Sequence, residues 1–186
     1  MADHSRDEVI RRYLQDAIAA EGSFESQLRT FSREGDDAEV QAAFASHAEE
    51  TQLQHRRLTM RLEELGGSPS AAKGLLAHVF GITPGMSPRI AQATHTPEER
   101  LAQNLVIAYS VEASECAMYE ALASVAEAAG DAATERLARE IQDEERRAAE
   151  AVWGFLPSRA KIAFNMLTAW ETDPAITTRA ADDRVS

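Results

Sequence analysis

The sequence predicts an all-α protein, a bundle of four long helices with one long crossover between the second and the third. Three observations predict it. Ala, Leu, Glu and Arg dominate the chain, and these residues favour helices. Apolar residues recur at three- and four-residue steps over long segments, the spacing of a buried helical stripe. Few stretches alternate apolar and polar residues as strands would, and Gly and Pro gather in a few places between the periodic segments.

The first helix is expected over residues 7–33, with the stripe Ile10, Leu14, Ala17, Glu21, Phe24, Leu28 and Phe31. Gly35-Asp36-Asp37 breaks it, and an Asp there can cap the next helix. The second helix is expected over residues 37–65 and ends at Gly66-Gly67-Ser68-Pro69. The crossover carries a short helix over residues 71–81, around Leu75, Leu76, Val79 and Phe80. The third helix opens with Thr96 as cap, Pro97 in the first turn and Glu99 three residues on. It runs to Ala129, and Gly130-Asp131 turns the chain. The fourth helix is expected to stop near Phe155, before Pro157, with a separate short helix over residues 162–170. Residues 1–170 form one domain, and 171–186 read as a polar tail.

The formal net charge is −12, and no Lys/Arg cluster marks a nucleic-acid surface. A single cysteine, Cys116, excludes an intrachain disulfide and fits a reducing compartment. Residues 1–8 are polar, and no apolar run approaches the ~20 residues that span a membrane. A cytoplasmic protein with no membrane or nucleic-acid partner is the expectation.

The acids fall in places where burial is expected. On the third helix the seam reads Leu101, Leu105, Ala108, Glu112, Glu115, Tyr119, Leu122, Ala126. On the fourth it reads Ala133, Leu137, Ile141, Glu144, Ala148, Val152, Phe155. On the second it reads Val40, Phe44, His47, Glu50 or Thr51, Gln54, Leu58, Leu62, Leu65. Glu21 lies fourteen residues before Gly35 and Glu50 fifteen after it; Glu112 lies eighteen before Gly130 and Glu144 fourteen after it. Within each hairpin the acids therefore meet within roughly one turn. Buried carboxylates need neutralising by protons, by Arg or by metal. Oxygen ligands with an occasional imidazole suit iron, manganese or zinc. Two metals sharing bridging carboxylates is a known solution inside helical bundles.

These residues resemble those of a known family. Residues 43–51, AFASHAEET, followed by Gln54 and Arg57-Leu58, are similar to a signature of the YciE/YciF-type ferritin-like proteins, also called DUF892. Glu112-Ala113-Ser114-Glu115 with Tyr119, and Asp143-Glu144-Glu145-Arg146, resemble two further motifs of that family. The resemblance spans roughly residues 7–157. It implies a ferritin-like bundle, a dinuclear metal site, a homodimer and a link to stress responses. Carried over residue by residue, the ligands are Glu21, Glu50, Glu112, Glu115 and Glu144, with His47 and Gln54 as ligands or as hydrogen-bond partners of ligands. The usual ferritin-like ExxH would need His at positions 53 and 147, where this chain has Leu53 and Arg147.

Two functions follow as expectations. One is a protein with two iron or manganese ions, zinc being the third candidate, that reacts with oxygen or peroxide. The other is a metal-poor stress or assembly protein whose acids pair with Arg146, Arg147 or protons. A mineral-storing cage has least support. His55, His78 and His95 read as surface residues, Cys116 as packing, and Tyr119 as packing or as a hydrogen-bond donor to a carboxylate. Trp153, Phe155 and Trp170 read as packing or dimer contacts.

Overall fold

The computed structural model describes residues 5–68 and 95–169. The short helix expected over 71–81, His78, Trp170 and the 171–186 tail lie outside them. Four helices make up the described part: α1 (Arg6–Phe31), α2 (Ala38–Glu64), α3 (Pro97–Ala129) and α4 (Ala132–Thr168). No strand occurs among the described residues.

Local chemistry sets the helix ends. The Asp37 side chain accepts from the Val40 N–H at 3.1 Å and starts α2. Thr96 and Glu99 form a reciprocal capping box at the start of α3. Gly130 closes α3 at φ 77°, a left-handed conformation that a side chain would oppose. Asp131 then caps α4 by accepting from the Thr134 N–H.

α1 packs beside α2 and α3, and α4 packs beside α3 and α2, so α1 and α4 face each other across a diagonal, as do α2 and α3. Ion pairs fix the register of α2 against α4. Arg159 reaches Asp37 at 2.8 Å, Arg57 reaches Glu144 at 2.8 Å, and Arg61 reaches Asp131 at 2.8 Å. These pairs progress in opposite chain directions, so the two helices are antiparallel.

The core is divided in two. One apolar cluster includes Ile10, Leu14, Leu58, Leu62, Leu122 and Ile141. The other includes Phe24, Phe31, Phe44, Leu105, Val111 and Val152. Each draws on all four helices. Between them, in sequence on every helix, lies a stretch whose buried side chains are polar.

The fourth helix differs from expectation. It passes through Pro157 and runs to Thr168 as one helix, without the separate segment expected over 162–170. Pro157 removes one backbone donor, which orphans the carbonyl of Trp153. Both residues are exposed, so that carbonyl lies on the solvent side of the helix, where an orphaned acceptor costs little. Beyond the proline, Arg159 anchors the helix to the start of α2 through Asp37 and Glu39. Asp37→Ala removes the α2 cap and the Asp37 part of this anchor, leaving the Arg159–Glu39 pair. It is expected to destabilise the protein by about 1–2 kcal/mol in urea unfolding. Glu39→Ala, which removes only an exposed pair, is expected to cost a few tenths.

Candidate metal centre

Four carboxylates and one imidazole meet between the two apolar clusters. Glu21 on α1, Glu112 and Glu115 on α3, and Glu145 on α4 are fully buried, and His47 on α2 is nearly so. The His47 Nε2 lies 2.6 Å from Glu112 Oε1, a contact that crosses the α2–α3 diagonal through the bundle centre. His47, Glu112 and Glu145 each place one ligand atom within 4.8 Å of the others. Tyr119, fully buried on α3, donates its hydroxyl to Glu21 Oε1.

The expected ligands divide into two groups. Glu21, Glu112, Glu115 and His47 come together in the buried layer. Glu50 and Glu144 do not. The Glu50 side chain is 64% exposed, with Oε2 3.6 Å from His47 Nδ1. Thr51 takes the buried position beside it and donates its hydroxyl back to the His47 carbonyl. Glu144 points to the α2 side, where Arg57 donates to both its oxygens at 2.8 and 3.0 Å. Gln54 is buried and donates to Glu144 Oε2 at 3.1 Å.

Glu145 replaces Glu144 in the seam. The signal was present in the sequence. From Ile141, a three-residue step gives Glu144 and then two successive fours, to Ala148 and Val152. A four-residue step gives Glu145 and keeps threes and fours alternating through Ala148 to Val152. Strict alternation averages about 3.5 residues, the seam of bundle helices that wind gently around one another. The same rule selects Thr51 over Glu50 on α2.

The family pattern described as Domain of unknown function (DUF892) matches residues 5–164. The chain belongs to the DUF892 family. The fold of this DUF892 protein recurs in solved structures. A protein from Xanthomonas campestris pv. campestris is 24% identical, with a TM-score of 0.70 over 88% of this chain and 98% of that one. The Escherichia coli stress protein YciF is 23% identical, with a TM-score of 0.73 over 86% of this chain and 99% of that one. The diiron bacterioferritin of Desulfovibrio desulfuricans is 18% identical, with a TM-score of 0.64 over 88% of this chain and 87% of that one. The architecture is therefore the ferritin-like four-helix bundle. No curated protein sequence matches the chain. No helix among the described residues is long and apolar enough to cross a membrane.

The electrostatics of the DUF892 site follow from burial without counter-ions. Among the described residues no Lys or Arg pairs with Glu21, Glu112, Glu115 or Glu145. Arg146 instead pairs with exposed Asp143. Both oxygens of Glu115, Glu21 Oε2 and His47 Nδ1 have no hydrogen-bond partner, and Glu112 and Glu145 have only each other, through a shared proton, beyond the His47 contact. Burial pushes the Glu112 carboxyl up to about 8, with Glu21 and Glu50 adding to the rise. It pushes Glu145 up to about 9, with Glu112 adding to it. Glu21 and Glu115 rise for the same reason. Desolvation also raises the Tyr119 hydroxyl, so it stays protonated and donates.

Unpartnered buried carboxylate oxygens beside an imidazole fit divalent cations such as iron or manganese. The four carboxylates carry four negative charges when ionised, which two divalent ions balance.

The raised values make the metal-free protein sensitive to pH. Its folded state keeps protons on Glu112 and Glu145 that the unfolded chain releases above its ordinary value of 4.5. Stability is then greatest below that value and falls as pH rises towards 8–9. Chelator-stripped protein should show a melting temperature that drops between pH 5 and pH 8. Glu112→Gln and Glu145→Gln should flatten that slope, and Glu144→Gln, whose charge adds only a minor part of the rise, should change it least.

Proposed function

We propose that this protein is a carboxylate-bridged dinuclear metalloprotein that reacts with oxygen or peroxide as part of a stress response. The observation that carries the reading is the set of buried oxygens on Glu21, Glu112, Glu115 and Glu145 around His47, with no Lys or Arg paired to them among the described residues. Iron or manganese is the ion of choice for these donors. When bound, such a pair supplies the electrons or the Lewis acidity that oxygen or peroxide chemistry needs.

The chain's own residues hold and orient. Tyr119 directs its proton at Glu21 Oε1 and leaves Oε2 free to ligate. His47 is oriented by its 2.6 Å contact with Glu112, which leaves Nδ1 on the side of Glu50. The flanking apolar clusters exclude water from the reacting space. The diiron site of the Desulfovibrio desulfuricans bacterioferritin and the stress-protein status of YciF support the same reading. The metal-free alternative has lost one of its supports: neither Arg146 nor Arg147 reaches a buried acid, so it rests on protons alone.

Anaerobic titration of chelator-stripped protein with ferrous or manganous ion tests the proposal. Two ions per chain are expected, each raising stability by about 2.7 kcal/mol at a hundredfold excess over its dissociation constant. Glu115→Gln and Glu145→Gln should each lose at least one ion, whereas Glu50→Gln and Glu144→Gln should retain both. Binding that stays substoichiometric with no gain in stability would refute it.

A further inference from the structure

A cavity of about 400 Å³ opens between α2 and α4, against the outer side of the metal centre. This volume falls within the range of small-molecule sites, about 300–1,000 Å³. The cavity is graded along its length. The ion pairs place Asp37 opposite Arg159 and Arg57 opposite Glu144, so the far end is formed by Val40, Phe44, Leu105, Val152 and Phe155, all apolar. The near end holds His47, Glu50, Glu144 and Arg147.

The charges at the near end are unequal in availability. Arg57 and Gln54 occupy Glu144. Glu50 is turned largely to solvent. Arg147 also lines the cavity, and no carboxylate pairs with it among the described residues. His47 connects the two compartments, with Nε2 on Glu112 in the centre and Nδ1 on the side of Glu50, unpartnered. An apolar slot ending at a free guanidinium and a buried imidazole is complementary to an amphiphile with an anionic head.

We infer that this cavity binds a straight-chain carboxylate, its tail among Val40, Phe44 and Phe155 and its head between Arg147 and His47. Arg147 suits this role because its planar fork matches a carboxylate at two points. The site adjoins the centre where the oxidant chemistry is proposed. It does not depend on that chemistry, since the slot and the guanidinium belong to the protein alone.

Calorimetric titration of the full chain with a series of straight-chain carboxylates from butyrate to laurate, each below its micelle threshold, tests the inference. The matching alcohols serve as controls, and the protein is used both stripped of metal and loaded. Saturable binding of one carboxylate per chain is expected, tightening with chain length and at least tenfold weaker for the alcohol. Arg147→Gln should weaken the carboxylate at least tenfold and leave the alcohol unchanged. Ala151→Trp, at an exposed lining position that fills the slot, should remove both. Circular dichroism and melting confirm that both variants fold. Absence of saturable carboxylate binding overturns the inference. So does equal binding of acid and alcohol, or an Arg147→Gln variant that binds as the unsubstituted protein does. If Ala151→Trp slows metal uptake while no carboxylate binds, the cavity is an entry route for ions instead. Failure of the metal titration alone leaves the carboxylate result readable in stripped protein.

Discussion

The structure turns on four carboxyl groups held at the middle of an apolar bundle with one imidazole, His47, and no Lys or Arg paired to them among the described residues. Taking an ionised carboxylate out of water costs several kcal/mol even after relaxation. Here Glu21, Glu112, Glu115 and Glu145 are buried together. Each ionised neighbour makes the next ionisation harder, so the layer stays neutral only by holding protons or by holding metal. The rest of the molecule supplies what this arrangement requires. Tight hairpin turns at Gly35 and Gly130, both at positive φ, set the four acids at one height. Apolar clusters above and below close the layer off from water at both ends.

Most of the fold was legible in the sequence because its signals are local and repeated. The stripe of α1 is buried at every position expected of it, Glu21 included. Thr96, Pro97 and Glu99 give the start of α3 through hydrogen bonds between near neighbours. Pro157 misled for the converse reason. A proline in isolation favours a break, but on α4 it falls on the solvent side, and Arg159 ties the following turn to α2. That tie joins residues far apart in the chain, and no local pattern announces it.

The site was legible in kind and blurred in register. One residue on a helix is a rotation of about 100°, enough to move a side chain from the centre to the rim. Asp143-Glu144-Glu145 offers acids at three successive angles, and Ala148 and Ala149 are too small to mark which face packs. The same ambiguity joins Glu50 to Thr51. On α3 the flanking Leu105, Ala108, Tyr119 and Leu122 leave no such freedom, and Glu112 and Glu115 lie where the pattern puts them. The two displaced acids are not idle. Glu144 gathers Arg57 and Gln54 on the α2–α4 face, keeping a cation near the site engaged outside it. Glu50 stands at the outer side of His47.

The distribution of donors also says how folding and metal relate. The α3–α4 hairpin carries Glu112, Glu115 and Glu145, whereas the α1–α2 hairpin carries Glu21 and His47, with Thr51 and Gln54 at the positions where further ligands could have stood. Neither hairpin has a complete set, so the site exists only once the hairpins dock. Docking does not need the site, because each apolar cluster already draws residues from all four helices on its own side of the layer. The bundle can therefore form with its carboxyl groups protonated, and under the proposed function a metal would enter a folded cage by displacing protons. Metal affinity in such a protein rises with pH over the same range in which the empty bundle loses stability. Under that reading the protonated layer is the fold's metal-free form, and a bound cation would restore at neutral pH the stability that ionisation removes.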